Sequence, residues 1–192
     1  MSPPPWAPAG ALANSRVYID AQWDPVEGNL GTLPTVMQET IRTLEEQGAY
    51  TSEEYLTLVA DLTSHFTVRT FPAPTCVADC GAVFNQRIYE TIQVRREGGE
   101  TMQGPSEFSM TEDAVIADMD LSPELRRIAL PVLLTNGAFD TMRGPNIRQM
   151  AAELADVSTV VFPKSGHMTM VDEPLEMAEV LEYWWQGIEE SS

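Results

Sequence analysis

Two short loops of the sequence each place a side chain capable of acid–base chemistry directly after an apolar segment. Asp140 ends the stretch 136–140, which follows the apolar run 130–135, and His167 ends the stretch 164–167, which follows the run 157–162. A carboxylate beside an imidazole accepts its Nδ1 proton, fixes the tautomer, and stabilises the imidazolium that forms when histidine takes a proton from a nucleophile. The two loops therefore predict a general base, His167, oriented by Asp140.

Each of these residues also has an ordinary structural explanation. An aspartate after a strand is often a helix N-cap or a turn former, and a single histidine is more often structural than catalytic. Open α/β sheets, however, place their ligand-handling groups after the carboxyl ends of their strands. Because Asp140 and His167 follow successive predicted strands, the pair favours the catalytic interpretation.

The segments around the two loops must position them. The run 130–135 is rich in strand formers, 145–156 is an amphipathic helix with proline in its first turn, 157–162 is a β-branched strand, and 173–188 is a second amphipathic helix. Strand, helix, strand, helix is the order of a parallel α/β sheet. We therefore predict that residues 126–192 form the end of an α/β core.

The preceding part of the chain has a different character. Apolar residues at helical spacing predict helices over 35–48 and 52–68, and a third over 84–95, so that 34–125 form a helical domain. Residues 11–33 are irregular, with a possible strand end at 10–14, and connect into that domain. The proline-rich stretch 1–10 is predicted to be a disordered tail because it has nothing apolar to bury.

Composition excludes several classes of partner. Eleven Lys and Arg against 29 Asp and Glu give a formal charge of -18, which repels nucleic acid and anionic membrane surfaces and is otherwise typical of a solubilising surface. No apolar run is long enough to span a bilayer and residues 1–10 do not resemble a secretory signal, so we expect a cytoplasmic protein. Cys76 and Cys80, with only His65 and His167 as further ligands, are too few for a closed zinc site, and two free thiols are expected.

The sequence resembles the proline iminopeptidases, a branch of the α/β-hydrolases that carries a helical cap domain, over nearly everything after residue 11. That superfamily uses the chain order Ser, Asp, His, of which Asp140 and His167 would be the last two. The stretches that carry the resemblance are Tyr89-Glu90, Met102-Gln103-Gly104-Pro105-Ser106-Glu107-Phe108, 118–120, 131–140, Gly166-His167 and Asp172-Glu173-Pro174. The resemblance implies the C-terminal portion of an α/β-hydrolase sheet, its last two parallel strands and helices, with a helical cap domain.

The resemblance also implies roles for individual residues. Glu107 would hold the free α-amino group of the substrate, where desolvation strengthens its attraction to an ammonium group. The family's G-x-S-x-G nucleophile turn and its oxyanion loop are absent from this sequence. Neither Ser106 nor Ser165 stands in such a turn, so no nucleophile is assigned. Thr141 occupies a position where the family usually has a second glutamate, and 94–100 interrupt the cap stretch, which implies a shifted cap or a different amine preference.

The implied activity is release of an N-terminal proline or similar residue from a short peptide, with neither a metal nor an organic cofactor. A serine would attack the carbonyl, His167 would act as base and then acid, and Asp140 would orient His167. We expect the chain to be inactive alone and to require a complementing N-terminal hydrolase half. The alternatives are another capped α/β-hydrolase acting on esters or amides, a non-catalytic acidic interaction module, and a truncated gene product.

Overall fold

In the part of the chain that the structure describes, helices of four to 18 residues accompany one parallel pair of strands. The computed structural model of the protein describes residues 13–82, 108–112 and 114–191. In chain order the elements are α1 Ser15–Ala21, α2 Thr35–Glu46, α3 Glu53–Phe66, α4 Thr75–Ala82, α5 Ser122–Leu125, β1 Val132–Gly137, α6 Pro145–Glu153, β2 Val157–Phe162, α7 Thr169–Asp172 and α8 Pro174–Ser191.

Strands β1 and β2 pair in parallel, and α6 forms the crossover between them. The register pairs Val132 with Val157 at one end and Gly137 with Phe162 at the other. Both strands therefore end at the same edge of the sheet, and the loops that follow them lie side by side. The predicted strand, helix, strand, helix order is confirmed.

Strand β1 lies two residues later than predicted. The predicted strand covered 130–135, whereas the observed strand is Val132–Gly137. Pro131 has no N–H to donate to a ladder, and Leu130 is exposed. Asn136 and Gly137, predicted to begin the loop after this strand, instead pair with Val161 and Phe162.

The helical region packs around α2 and α3, whose predicted positions are confirmed to within about two residues. Ser52 begins α3 by accepting a hydrogen bond from the Tyr55 N–H. The two glutamates in the first turn of α3 interact favourably with the positive end of the helix dipole. Gly48, at φ 64°, follows the end of α2 in the left-handed conformation that glycine tolerates. The buried core here consists of Leu30, Leu33, Ile41, Leu58, Leu62, Phe66 and Phe108.

The prediction of an irregular loop over 11–33 is wrong at Ser15–Ala21, which form helix α1. Asn14 starts this helix by accepting a hydrogen bond from the Val17 N–H, a signal that is weak in a seven-residue helix. Asn14 also forms an isolated antiparallel bridge with Asp120. Residues 10–12 of the predicted strand end lie outside the described residues.

Several other predictions fall partly or wholly outside the described residues. These are the disordered tail 1–10, the third helix over 84–95, the interruption at 94–100, and Glu107 with the cap stretch that precedes Phe108. Helix α4, which carries the exposed free thiol of Cys76, was not predicted. Of the helices in the described ranges, none combines the length and apolar character that crossing a membrane requires.

The core around Phe66 generates a stability prediction. Phe66 is fully buried, whereas Phe71 is 96% exposed, so the same substitution at the two positions separates burial from side-chain chemistry. Phe66→Ala is expected to lower the free energy of unfolding by about 3–5 kcal/mol through lost burial and a residual cavity. Phe71→Ala should change it by less than about 0.5 kcal/mol. Urea denaturation of both variants measures the difference, and equal effects would contradict the described core.

Candidate active site

The two loops predicted to carry chemistry meet through one hydrogen-bonded pair. His167 Nδ1 lies 3.1 Å from Asp140 Oδ1 and 3.2 Å from Oδ2. A carboxylate is acceptor-only, so Nδ1 carries the proton of this bond and, in the neutral ring, Nε2 holds the lone pair. The Asp140 side chain is 7% exposed and that of His167 is 45% exposed. The geometry is therefore a buried carboxylate orienting a solvent-accessible imidazole.

Asp140 is itself held in place by the end of β1 and the loop that follows it. Its Oδ1 accepts a hydrogen bond from the Met142 N–H at 3.0 Å, and its own N–H donates to the Gly137 carbonyl at 3.2 Å. A side chain at position 137 would collide with the carbonyl oxygens of Ser165 and Gly166. Glycine at 137 thus allows the aspartate loop and the histidine loop to approach closely.

Two carboxylates position the histidine loop. Asp172 Oδ2 accepts from the Gly166 N–H at 2.9 Å. Glu173 is buried, and its Oε2 accepts from the Lys164 N–H at 2.9 Å and the Ser165 hydroxyl at 2.7 Å. The sequence resemblance includes both residues but implied no role for either. Ser165 lies in the loop after β2 and is fully buried.

The end of helix α3 is joined directly to the same loop. The His167 N–H donates to the Phe66 carbonyl at 2.6 Å, and the Met168 N–H donates to the Thr67 carbonyl at 2.9 Å. Asp172 Oδ1 accepts from the N–H groups of Arg69 and Thr70, and from the Thr70 hydroxyl. The backbone that carries His167 is therefore fixed by the helical region as well as by the strand pair.

Arg143 is a further residue of the site that sequence reasoning missed. From the loop after β1 it donates to the carbonyls of Ala138 and Gly28 and to the Thr32 hydroxyl. Burial lowers the pKa of Arg143, while Asp140 and Glu27 act in the opposite direction. The one sequence signal that could have indicated Arg143 is its position three residues after Asp140. Arg143 ties the segment after α1 to the aspartate loop.

Of the residues assigned from sequence, Asp140 and His167 are brought together, whereas Glu107 lies outside the described residues. Thr141 is half-buried beside Asp140, with its hydroxyl 3.5 Å from Oδ1. Within the described ranges no group of three or more His, Cys, Asp or Glu is arranged to hold a metal ion. The arrangement can accept a proton at His167 and stabilise the resulting imidazolium.

Comparison with known proteins gives the chain its family. The proline iminopeptidase of Heyndrickxia coagulans is 32% identical over 155 residues, which are 80% of this chain and 49% of that protein. The proline iminopeptidase of Saccharolobus solfataricus is 29% identical over 149 residues, 78% of this chain and 44% of that protein. No protein-family model matches. The chain spans about half the length of the curated relatives that it matches.

Solved structures show the same fold. The proline iminopeptidase of Mycobacterium smegmatis superposes with a TM-score of 0.73 at 23% identity, covering 94% of this chain and 56% of that structure. The structure of VinJ superposes with a TM-score of 0.72 at 21% identity, covering 91% and 54%. The fold, with Asp140 and His167 at its strand ends, is that of part of an α/β-hydrolase. The chain belongs to the proline iminopeptidase family, and its partial coverage of the relatives is consistent with the predicted C-terminal part.

The Asp140 contact generates a prediction about the tautomer of His167. In the native chain the neutral ring is expected to carry its proton on Nδ1, because a carboxylate can only accept. In Asp140→Asn the amide group can donate instead, so the Nδ1 tautomer should lose its preference. Ring ¹⁵N chemical shifts of His167, assigned with a His65→Gln variant, measure the tautomer directly. An unchanged tautomer in Asp140→Asn would contradict the described contact.

The Asp172 contacts generate a second prediction. In the native chain both carboxylate oxygens of Asp172 accept hydrogen bonds from backbone N–H groups. Asp172→Asn leaves only one oxygen that can accept, so the free energy of unfolding should fall by about 1.5–3 kcal/mol. Asp61→Asn is the matched control, since Asp61 is exposed on α3, and should cost less than about 0.5 kcal/mol. Urea denaturation measures both. Indistinguishable effects would show that Asp172 does not join α3 to the histidine loop.

Proposed function

We propose that this chain supplies the base and its orienting carboxylate to a serine-hydrolase-type peptidase that releases an N-terminal proline, or a similar residue, from short peptides. The observation that carries the proposal is the contact of His167 Nδ1 with both oxygens of buried Asp140 at the ends of two parallel strands. His167 takes the proton of the attacking hydroxyl at Nε2 and returns it to the leaving amine. The Asp140 carboxylate stabilises the imidazolium between these two steps.

The nucleophile and the oxyanion donors come, in this proposal, from outside the chain. The sequence contains no G-x-S-x-G turn. Ser165, next but one to His167, is fully buried and donates to Glu173, so its hydroxyl is not presented to the imidazole. A base without a nucleophile and without donors for the tetrahedral oxyanion does not catalyse acyl transfer. The chain alone is therefore proposed to be inactive.

The strand pair offers a place for such a complementing segment. Among the described residues, β1 and β2 pair only with each other. A parallel strand normally has neighbours on both sides and helices on both faces. Large apolar side chains on and around the strand pair and α8 are exposed: Leu130, Val161, Leu175, Leu181, Tyr183 and Trp185. We propose that a nucleophile-bearing hydrolase half continues the sheet and covers this surface.

Recognition of the substrate's amino group is proposed for Glu107. The described residue next to it, Phe108, is buried, and the Tyr18 hydroxyl and the Asn29 amide both donate to its carbonyl. The Phe108 ring lies 5.8 Å from the ring of Phe66, whose carbonyl accepts the His167 N–H. The chain is thus anchored beside the histidine loop at the residue after Glu107, which supports a role for that carboxylate near the base.

A single-chain fusion tests the proposal without relying on association of two parts. The part of the Heyndrickxia coagulans relative that this chain does not match, in which the proposal places the nucleophile, is joined to residues 13–192, and hydrolysis of a prolyl chromogenic amide is measured. The chain alone should show no turnover, and the fusion should show turnover that His167→Ala lowers by on the order of 1,000-fold or more. Asp61→Asn serves as the control and should leave turnover unchanged.

Four outcomes would overturn the proposal. The first is turnover by the chain alone, and the second is fusion turnover that His167→Ala does not affect. The third is a folded fusion that hydrolyses chromogenic esters and not the prolyl amide, which would favour another capped α/β-hydrolase. A fusion that melts cooperatively but acts on neither substrate would favour a non-catalytic interaction module instead.

A further inference from the structure

A cationic cluster lies beside the Asp140–His167 pair and has no part in the base chemistry. The guanidinium carbon of Arg69 lies 3.5 Å from the centroid of the Phe139 ring, a cation–π contact. Arg69 Nη1 donates to the His65 carbonyl at 2.9 Å and lies 3.3 Å from His65 Nδ1. The rings of His65 and Phe139 are in edge contact with centroids 5.8 Å apart. The three side chains form one unit, named here the Arg69 cluster.

The Arg69 cluster adjoins the reaction centre through the chain itself. Phe139 immediately precedes Asp140, and Phe66, immediately after His65, holds the His167 backbone. The Arg69 cluster is therefore attached to the backbone segments that carry Asp140 and His167.

The charge of Arg69 is not neutralised by any described carboxylate. Among the described residues, the ion pairs between an arginine and a carboxylate involve Arg16, Arg126, Arg127 and Arg148, and none involves Arg69. Of the donors of Arg69, Asp172 accepts only the backbone N–H and not the guanidinium. Arg143, the second guanidinium near the pair, is occupied by carbonyl and hydroxyl oxygens. Arg69 therefore has no carboxylate ion pair among the described residues, although the chain has a formal charge of -18.

His65 adds a neutral donor to the cluster. Burial lowers the pKa of His65, and Arg69 and Arg143 lower it further, so the ring is neutral near pH 7. Because Nδ1 faces a guanidinium N–H, it acts as the acceptor, and the ring proton is assigned to Nε2. The cluster thus combines one permanent positive charge with an imidazole N–H.

We propose that the Arg69 cluster binds the free carboxylate of a short peptide substrate on its leaving-group side, so that the enzyme prefers dipeptides with an unblocked C-terminus. This rests on the proposed function, since the carboxylate of a dipeptide lies one residue beyond the scissile bond. A guanidinium group is planar, and its N–H groups point outward in that plane even when a ring covers one face. Two such N–H groups side by side match the two oxygens of a carboxylate. A single charge with one neutral donor fits a monoanion.

Binding of matched peptides to the purified chain tests the inference without any need for turnover. Prolylglycine and prolylglycinamide differ only in the carboxylate, and their affinities are compared by calorimetry for the native chain, Arg69→Gln and Arg42→Gln. The native chain should bind prolylglycine about 10-fold more tightly, as expected for a charge-assisted hydrogen bond. Without Arg69 the strongly acidic chain should favour the amide, which carries a net positive charge.

Arg42→Gln is the matched control because Arg42 also stacks on an aromatic ring, that of Trp23, at 4.1 Å. It should keep the preference for prolylglycine, whereas Arg69→Gln should abolish it. Equal affinities in the native chain, a preference that persists in Arg69→Gln, or no binding of prolylglycine at millimolar concentration would each overturn the inference.

The outcome is separable from that of the proposed function. If the fusion hydrolyses prolyl amides through His167 while the chain shows no carboxylate preference, the inference fails and the function stands. If the carboxylate preference depends on Arg69 but the fusion has no His167-dependent turnover, the anion site stands and the peptidase function fails.

Discussion

Parallel pairing of β1 with β2 is the constraint on which the site depends. Because both strands run in one direction, their carboxyl ends share an edge, and the loops that leave them are neighbours although 27 residues separate Asp140 from His167. Gly137 permits the close approach of these loops, since any side chain there would meet the backbone of 165–166. The hydrogen bond between carboxylate and imidazole follows from this arrangement.

A second constraint couples the helical region to the strand pair. Asp172 accepts donors from the segment after α3 and from Gly166, groups that lie about a hundred residues apart in the chain. The Phe66 side chain belongs to the core of the helical region, and the Phe66 carbonyl accepts the His167 N–H. One residue therefore connects that core to His167. A change that loosens α3 is thereby transmitted to the backbone that carries the His167 imidazole.

The sequence predicted those features that depend on local pattern. Strand β2 was predicted at its observed bounds because 157–162 are a β-branched run, and the Asp140 and His167 loops followed from strand ends. Helix α1 was missed because its main local signal is a single cap, Asn14. Strand β1 was predicted two residues too early because the apolar run in the sequence begins before Pro131. Arg143 and the Arg69 cluster were not predicted, since their partners are set by folding rather than by spacing.

In the proposed function, His167 is the base for a nucleophile contributed from beyond this chain, on a sheet that continues at the β1–β2 pair. A crystal structure of the fusion with the unmatched part of the Heyndrickxia coagulans relative is the decisive measurement. The supplied serine Oγ is expected to lie about 2.6–3.2 Å from His167 Nε2, with Nδ1 still bound to Asp140. A folded fusion in which that serine faces away from His167, or in which the supplied strands do not extend the sheet, would contradict it.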